Sequence, residues 1–154
     1  MEVSVQIQTE DFDQAQLYSA LTQDNQDDGA VVTFTGQVRR QNLGDNVIGL
    51  ALEHYPGMTE KTISTIVEEA KKKWSISRVI VVHRVGELEV GDNIVFVGVS
   101  GAHRGDCYAA NEFIMDFLKI KAPFWKKELT TQGQRWLDAK SSDHEKAQQW
   151  DIER

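Results

Sequence analysis

The sequence has little cysteine, little proline and no long apolar run. Of its 154 residues one is cysteine, Cys107, and two are proline, Pro56 and Pro123. A lone cysteine excludes an internal disulfide framework and suits a reducing compartment. The opening MEVSVQIQTEDFD lacks the basic start and apolar stretch of a secretory leader, so the cytoplasm is the expected location. No apolar run approaches the ~20 residues of a membrane span, so no membrane association is expected. Basic residues are the minority: 17 Lys and Arg against 24 Asp and Glu give a formal net charge of −7. That balance argues against nucleic acid as a partner. Repeats, linkers and low-complexity tracts are also missing, and residues 1–154 read as one domain long enough for a core. There is no Gly-rich nucleotide loop, and His54, His83 and His103 show no short ligand spacing. No metal or cofactor is therefore expected.

What is present centres on Val95 to Glu128. The apolar run from Ile94 to Val99 reads as a buried strand, followed by a turn over residues 100–106 and a helix. On a 3.6-residue wheel Ala110, Phe113, Ile114, Phe117, Leu118 and Ile120 share one face, and Cys107 falls with them, which reads as an inert structural thiol. Arg104, Tyr108, Glu112, Met115 and Lys119 take the opposite side. Pro123 ends the helix, since it lacks an N–H and disfavours helical backbone at Ala122. The turn with His103 and Arg104 can aim backbone N–H groups at an anion. Lys119 and Lys126 flank the Pro123 break, which can bring both to one pocket beside that turn. The plain alternative is solvated lysines, with Asp116 pairing Lys119 at i+3.

Around this stretch, Val3, Val5 and Ile7 alternate as a first strand, and Asp11 or Asp13 can cap a short helix through Leu21. Ala30–Val38 is a strong strand, 39–46 a long polar loop, Leu50–Tyr55 a strand and Met58–Trp74 an amphipathic helix. Arg78–Val85 is a strand, 87–92 a turn, Arg135–Ala139 a strand, and 143–150 a last short helix. Mixed rather than alternating strands and helices predict an α+β domain. Arg39, Arg40, His103, Arg104, Lys119, Lys121, Lys126 and Lys127 would, if gathered, make a basic pocket in an acidic protein. Arginines clamp phosphate or carboxylate with forked hydrogen bonds, and a lysine among cations can serve as acid, base or nucleophile. By itself this supports an enzyme or binding module for a phosphorylated or carboxylated ligand.

Several segments carry a family resemblance: Gly29–Gly36 with Val38-Arg39, Leu52-Glu53-His54-Tyr55-Pro56-Gly57-Met58, His83-Arg84-Val85-Gly86, Ala102-His103-Arg104, Phe113–Asp116 with Leu118-Lys119, and Ala122–Lys126. Together they resemble the large, catalytic subunit of molybdopterin synthase. The resemblance implies an α/β-hammerhead-like fold with an added α+β part, pairing as a homodimer. It implies a small ubiquitin-like sulfur carrier at each end, giving a heterotetramer. The carrier's C-terminal Gly-Gly tail, activated as a thiocarboxylate, would enter the pocket, and two sulfurs would be transferred to cyclic pyranopterin monophosphate, forming the dithiolene of molybdopterin. It also implies Lys119 and Lys126 as catalytic lysines, Arg39, His103 and Arg104 as the anion- and substrate-binding set, and Phe34 as a pocket wall. Lys140, which stands where members often have arginine after Trp-x-x-Ala, joins that substrate-binding set as a phosphate contact. The sulfur arrives on the carrier, so no catalytic cysteine is needed. Two other readings stand beside the resemblance: a non-catalytic module for a ubiquitin-like partner, and a stand-alone enzyme for a phosphorylated ligand.

Overall fold

A computed structural model describes residues 2–42, 45–131, 133–137, 147–148 and 150. Among them are nine strands and three helices: β1 (Val3–Gln8), α1 (Gln14–Thr22), β2 (Ala30–Gln37), β3 (Gln41–Asn42), β4 (Asp45–His54), α2 (Met58–Lys73), β5 (Ile76–Arg84), β6 (Gly86–Glu89), β7 (Asn93–Gly101), α3 (Arg104–Lys121), β8 (Phe124–Thr130) and β9 (Gly133–Leu137). One sheet runs β1-β5-β7-β2; the other runs β3-β4-β8-β9, with β6 also paired to β4. Only β1 and β5 pair in parallel; β5, β7 and β2 are antiparallel neighbours. This is the mixed α+β arrangement the sequence predicts. No helix among the described residues is long and apolar enough to cross a membrane.

The period-two side-chain alternation of strands explains why the first sheet is covered on both faces. Val79, Val81, Val95, Val97 and Val99 face one way, into a core with Ile63, Ile66, Val67 and Ala70 of α2 and the apolar stripe of α3. Val82 and Phe96 face the other way and meet Phe12 and Leu21 beside α1. A third cluster, Val38, Val47, Leu50, Leu52, Val85 and Leu88, fills the junction with the second sheet. Asp13, not Asp11, caps α1, its carboxylate accepting from Ala15 N and Gln16 N.

The wheel for α3 holds for Cys107, Ala110, Phe113, Ile114, Phe117 and Leu118, which are buried; Ile120 is only partly buried, and Met115, expected on the opposite side, packs against the same core. Asn111 is buried with them; its Nδ2 donates to the carbonyls of Val32 (3.1 Å) and Val97 (2.9 Å), pinning the helix to β2 and β7. Asp116 is also buried, and accepts a hydrogen bond from Trp150 Nε1 at 2.8 Å.

Two expectations need correction. The segment 87–92 is not simply a turn, because Gly86–Glu89 pairs with Leu52–Gly49 of β4 and buries Leu88 between exposed Glu87 and Glu89. The polar segment 39–46 is not simply a loop, because β3 forms a hairpin arm against the start of β4. Both are held by backbone pairing rather than by an apolar pattern. The last helix, expected over 143–150, falls mostly outside the described residues; Ala147 and Trp150 are helical and buried.

Candidate active site

A cleft of about 650 Å³ opens where the two sheets and the end of α3 meet. Each element contributes through its own periodicity. On β8, Phe124, Lys126 and Glu128 share one face and all line the cleft, while Trp125 points outward and is half exposed. On α3, Met115, Leu118, Lys119 and Ala122 recur at three- and four-residue spacing along one wall. The end of β2 supplies Phe34 through Gln37, and Val38 and Arg39 follow. The register slips between Gly36 and Gln37, which turns the strand's end along the rim. Val47, Leu50, Ile94 and Val95 make an apolar floor, into which His83 is also set.

Lys119 and Lys126 thus reach one cleft from opposite sides of the Pro123 break, as the sequence predicts, and Arg39 and Phe34 join them. Ala122 has left the helical conformation (φ −69°, ψ 130°), so the chain reverses directly into β8. Glu128 lies deep, 4% exposed. It accepts from Arg135 Nε at 2.9 Å and from Arg135 Nη2, so its charge is matched inside the wall.

His103 and Arg104 do not join that group. They lie at the first turn of α3 in a separate shallow depression with Gly29, Ala102 and Gly105. Fifteen residues of helix separate Arg104 from Lys119, which at 1.5 Å per residue is about 22 Å. The expected nearness of the lysines to the anion turn is therefore wrong within one chain. The basic set divides further. Lys121 lies 4.7 Å from the Phe117 ring centroid, and Lys127 lies 5.4 Å from that of Trp136. Lys140 lies outside the described residues.

His83, weighed in the sequence only as a metal ligand, and Met115 and Glu128, given no site role there, all line the cleft. Spacing carried a signal for two of them: Met115 stands four residues before Lys119 on a helix, and Glu128 two after Lys126 on a strand. His83 Nδ1 lies 2.8 Å from the Arg84 carbonyl oxygen, and its ring stacks on Phe124. Burial pushes its pKa down to about 3, and the charges of Lys126 and His54 act in the same direction. Cys107 is fully buried against Ala30, and burial raises its thiol pKa, which keeps it an unreactive thiol.

Fold and cleft together define a mixed α+β protein whose cleft brings two lysines and an arginine to one lining. Comparison with known proteins agrees and goes further. The chain belongs to the MoaE protein family, whose model matches residues 7–121. It is 58% identical over 151 residues to the molybdopterin synthase catalytic subunit of Vibrio cholerae, covering 98% of this chain and 100% of that protein. Among solved structures it is similar to the molybdopterin biosynthesis MoaE protein from Burkholderia ambifaria, with TM-score 0.83 and 46% identity over 98% of this chain and 99% of that one. It is also similar to molybdopterin synthase from Staphylococcus aureus, with TM-score 0.79 and 37% identity over 85% of this chain and 94% of that one.

Proposed function

We propose that this chain is the catalytic subunit of a molybdopterin synthase. It transfers sulfur from the C-terminal thiocarboxylate of a small ubiquitin-like carrier to cyclic pyranopterin monophosphate, forming the dithiolene of molybdopterin. The observation that carries the reading is the cleft lined by Lys119, Lys126 and Arg39, in a chain aligned end to end with a synthase catalytic subunit. Substrate phosphate and carrier tail are both anions, and cations gathered at a cleft with an apolar floor attract both. Lys119 and Lys126 act as the catalytic lysines. Arg39 suits a forked grip on phosphate, and Phe34 walls the ligand.

The carrier brings the sulfur, so the buried Cys107 stands aside. The whole chain works as one domain, and its compartment is the cytoplasm, in keeping with a thiol left reduced. Two copies form the core of a heterotetramer. Because His103 and Arg104 lie some 22 Å along α3 from the lysines of their own chain, they serve the cleft of the second copy. Lys140 is assigned to the substrate phosphate on the resemblance alone.

A dithiolene-formation assay with thiocarboxylated carrier and the pterin precursor tests the reading. Turnover is the expected result. Carrier binding without dithiolene would leave a non-catalytic module, and turnover of a phosphorylated ligand without carrier would point to a stand-alone enzyme.

A further inference from the structure

His83 is the most deeply buried titratable side chain of the cleft, and the functional reading leaves it without a task. It is 3% exposed. Its ring lies 3.8 Å from that of Phe124, with the planes 18° apart. A carbonyl oxygen only accepts, so the contact with Arg84 O assigns the proton to Nδ1 and leaves a lone pair on Nε2. Among the described residues Nδ1 alone has a hydrogen-bond partner, and the side chain lines the cleft.

We propose that His83 Nε2 is a substrate-binding atom: a fixed, uncharged acceptor in the cleft floor that takes a hydrogen bond from an N–H or O–H donor on the non-phosphate part of the pterin. The proposal rests on the functional reading above and deepens it. Arg39, Lys119 and Lys126 can only donate, which suits phosphate and thiocarboxylate. The heterocycle of the same substrate carries donors of its own, which cations repel. Glu128, the anion of the wall, is engaged by Arg135. His83 supplies the missing acceptor, and burial keeps it neutral, since its pKa is held at about 3. The Phe124 stack and the Arg84 bond hold the ring in one orientation. A donor placed opposite Nε2 is accepted, and a ligand with a second acceptor there is rejected, as expected where a buried polar group would otherwise stay unpaired.

Two substitutions separate this role from a structural one. In His83→Asn the amide N–H₂ stands near the place of Nδ1 and keeps the bond to Arg84, but nothing replaces Nε2. In His83→Gln the longer side chain puts an acceptor near the place of Nε2 and gives up the tether. With the full-length chain, thiocarboxylated carrier and pterin precursor, His83→Asn should raise KM for the pterin about ten-fold, the loss expected when one buried hydrogen bond goes unmade. Its kcat and carrier affinity should stay within about two-fold. His83→Gln should keep KM within about three-fold of wild type. The reverse ranking, with Asn behaving as wild type and Gln impaired, would overturn the proposal and leave only the tether. If neither variant folds, the wild-type chain labelled with ¹⁵N at histidine decides. Saturating pterin precursor should move the His83 Nε2 resonance and leave Nδ1 protonated, and an unmoved Nε2 resonance overturns the assignment. Failure of wild-type turnover would defeat the functional reading itself. Failure of the His83 assignment alone leaves that turnover intact.

Discussion

Lys119 enters the cleft from the last turn of α3 and Lys126 from the facing strand β8. Lys119→Ala should lower sulfur transfer by ~10²–10⁴-fold, the usual contribution of one acid/base group, while carrier binding measured by calorimetry stays near wild type. Turnover within a few-fold of wild type would remove Lys119 from the chemistry. Cys107 gives the opposite expectation. Its side chain is fully buried in the core between α3 and the sheet. Cys107→Ser should cost about 1–3 kcal/mol of stability in a urea titration, because a hydroxyl replaces a nearly apolar thiol. Turnover per folded molecule should be unchanged. A folded variant that binds carrier but transfers no sulfur would implicate the thiol. At this scale the lysines were legible in the sequence because a proline break separates them. His83 was not, because a histidine inside a β-branched strand looks the same whether it faces core or cleft.

Among elements, close approach governs how α1 lies on the first sheet. Gly98 of β7 sits beneath it, and a Cβ there would come within 2.5 Å of Leu21 Cδ1 and 2.8 Å of Phe96 Cε1. Leu21 and Phe96 are fully buried with little room to retreat, so Gly98→Ala should destabilise by about 1–3 kcal/mol. The cleft lies on the far side of β7 from α1, and KM for the pterin should hold. An unchanged thermal midpoint would show that α1 can slide. The long elements were legible, since α2, α3, β5 and β7 carry their period over nine residues or more. β6 has four residues and one buried apolar side chain, Leu88, and becomes a strand because β4 is beside it. The division of the basic residues follows from helix length alone, and the turn and the lysines sit at opposite ends of one rod.

For the whole molecule, acid should act through His83. Its folded pKa is near 3 against an ordinary 6.5, chiefly through burial. Between those values the unfolded chain binds a proton that the folded chain does not. The stabilisation is complete above pH 6.5 and is lost as pH falls toward 3, with a slope approaching ~1.4 kcal/mol per pH unit. Urea midpoints at pH 7 and pH 5 should fall further for wild type than for His83→Asn, and equal falls would place the sensitivity elsewhere. The proposed two-copy site gives a second test. Lys119→Ala and Arg104→Ala chains are each inactive on this reading. Mixed and allowed to exchange, half the dimers pair unlike chains and hold one intact site of two. Activity should then recover to roughly a quarter of wild type. No recovery, with exchange confirmed by mass spectrometry, would return both ends of α3 to a single-chain role.

The two sheets are woven from one thread. The chain lays β1 and β2 in the first, β3 and β4 in the second, returns for β5, crosses for β6, returns for β7, and finishes in the second with β8 and β9. The first sheet has all its strands once Gly101 is in place, whereas Lys126 and the wall behind it arrive only with β8. During synthesis from the N-terminus, a nascent chain therefore gains its scaffold early and its cleft last. A chain cut before residue 124 holds the four strands of the first sheet and leaves an edge of β4 unpaired, without the strand that brings Lys126 to the cleft.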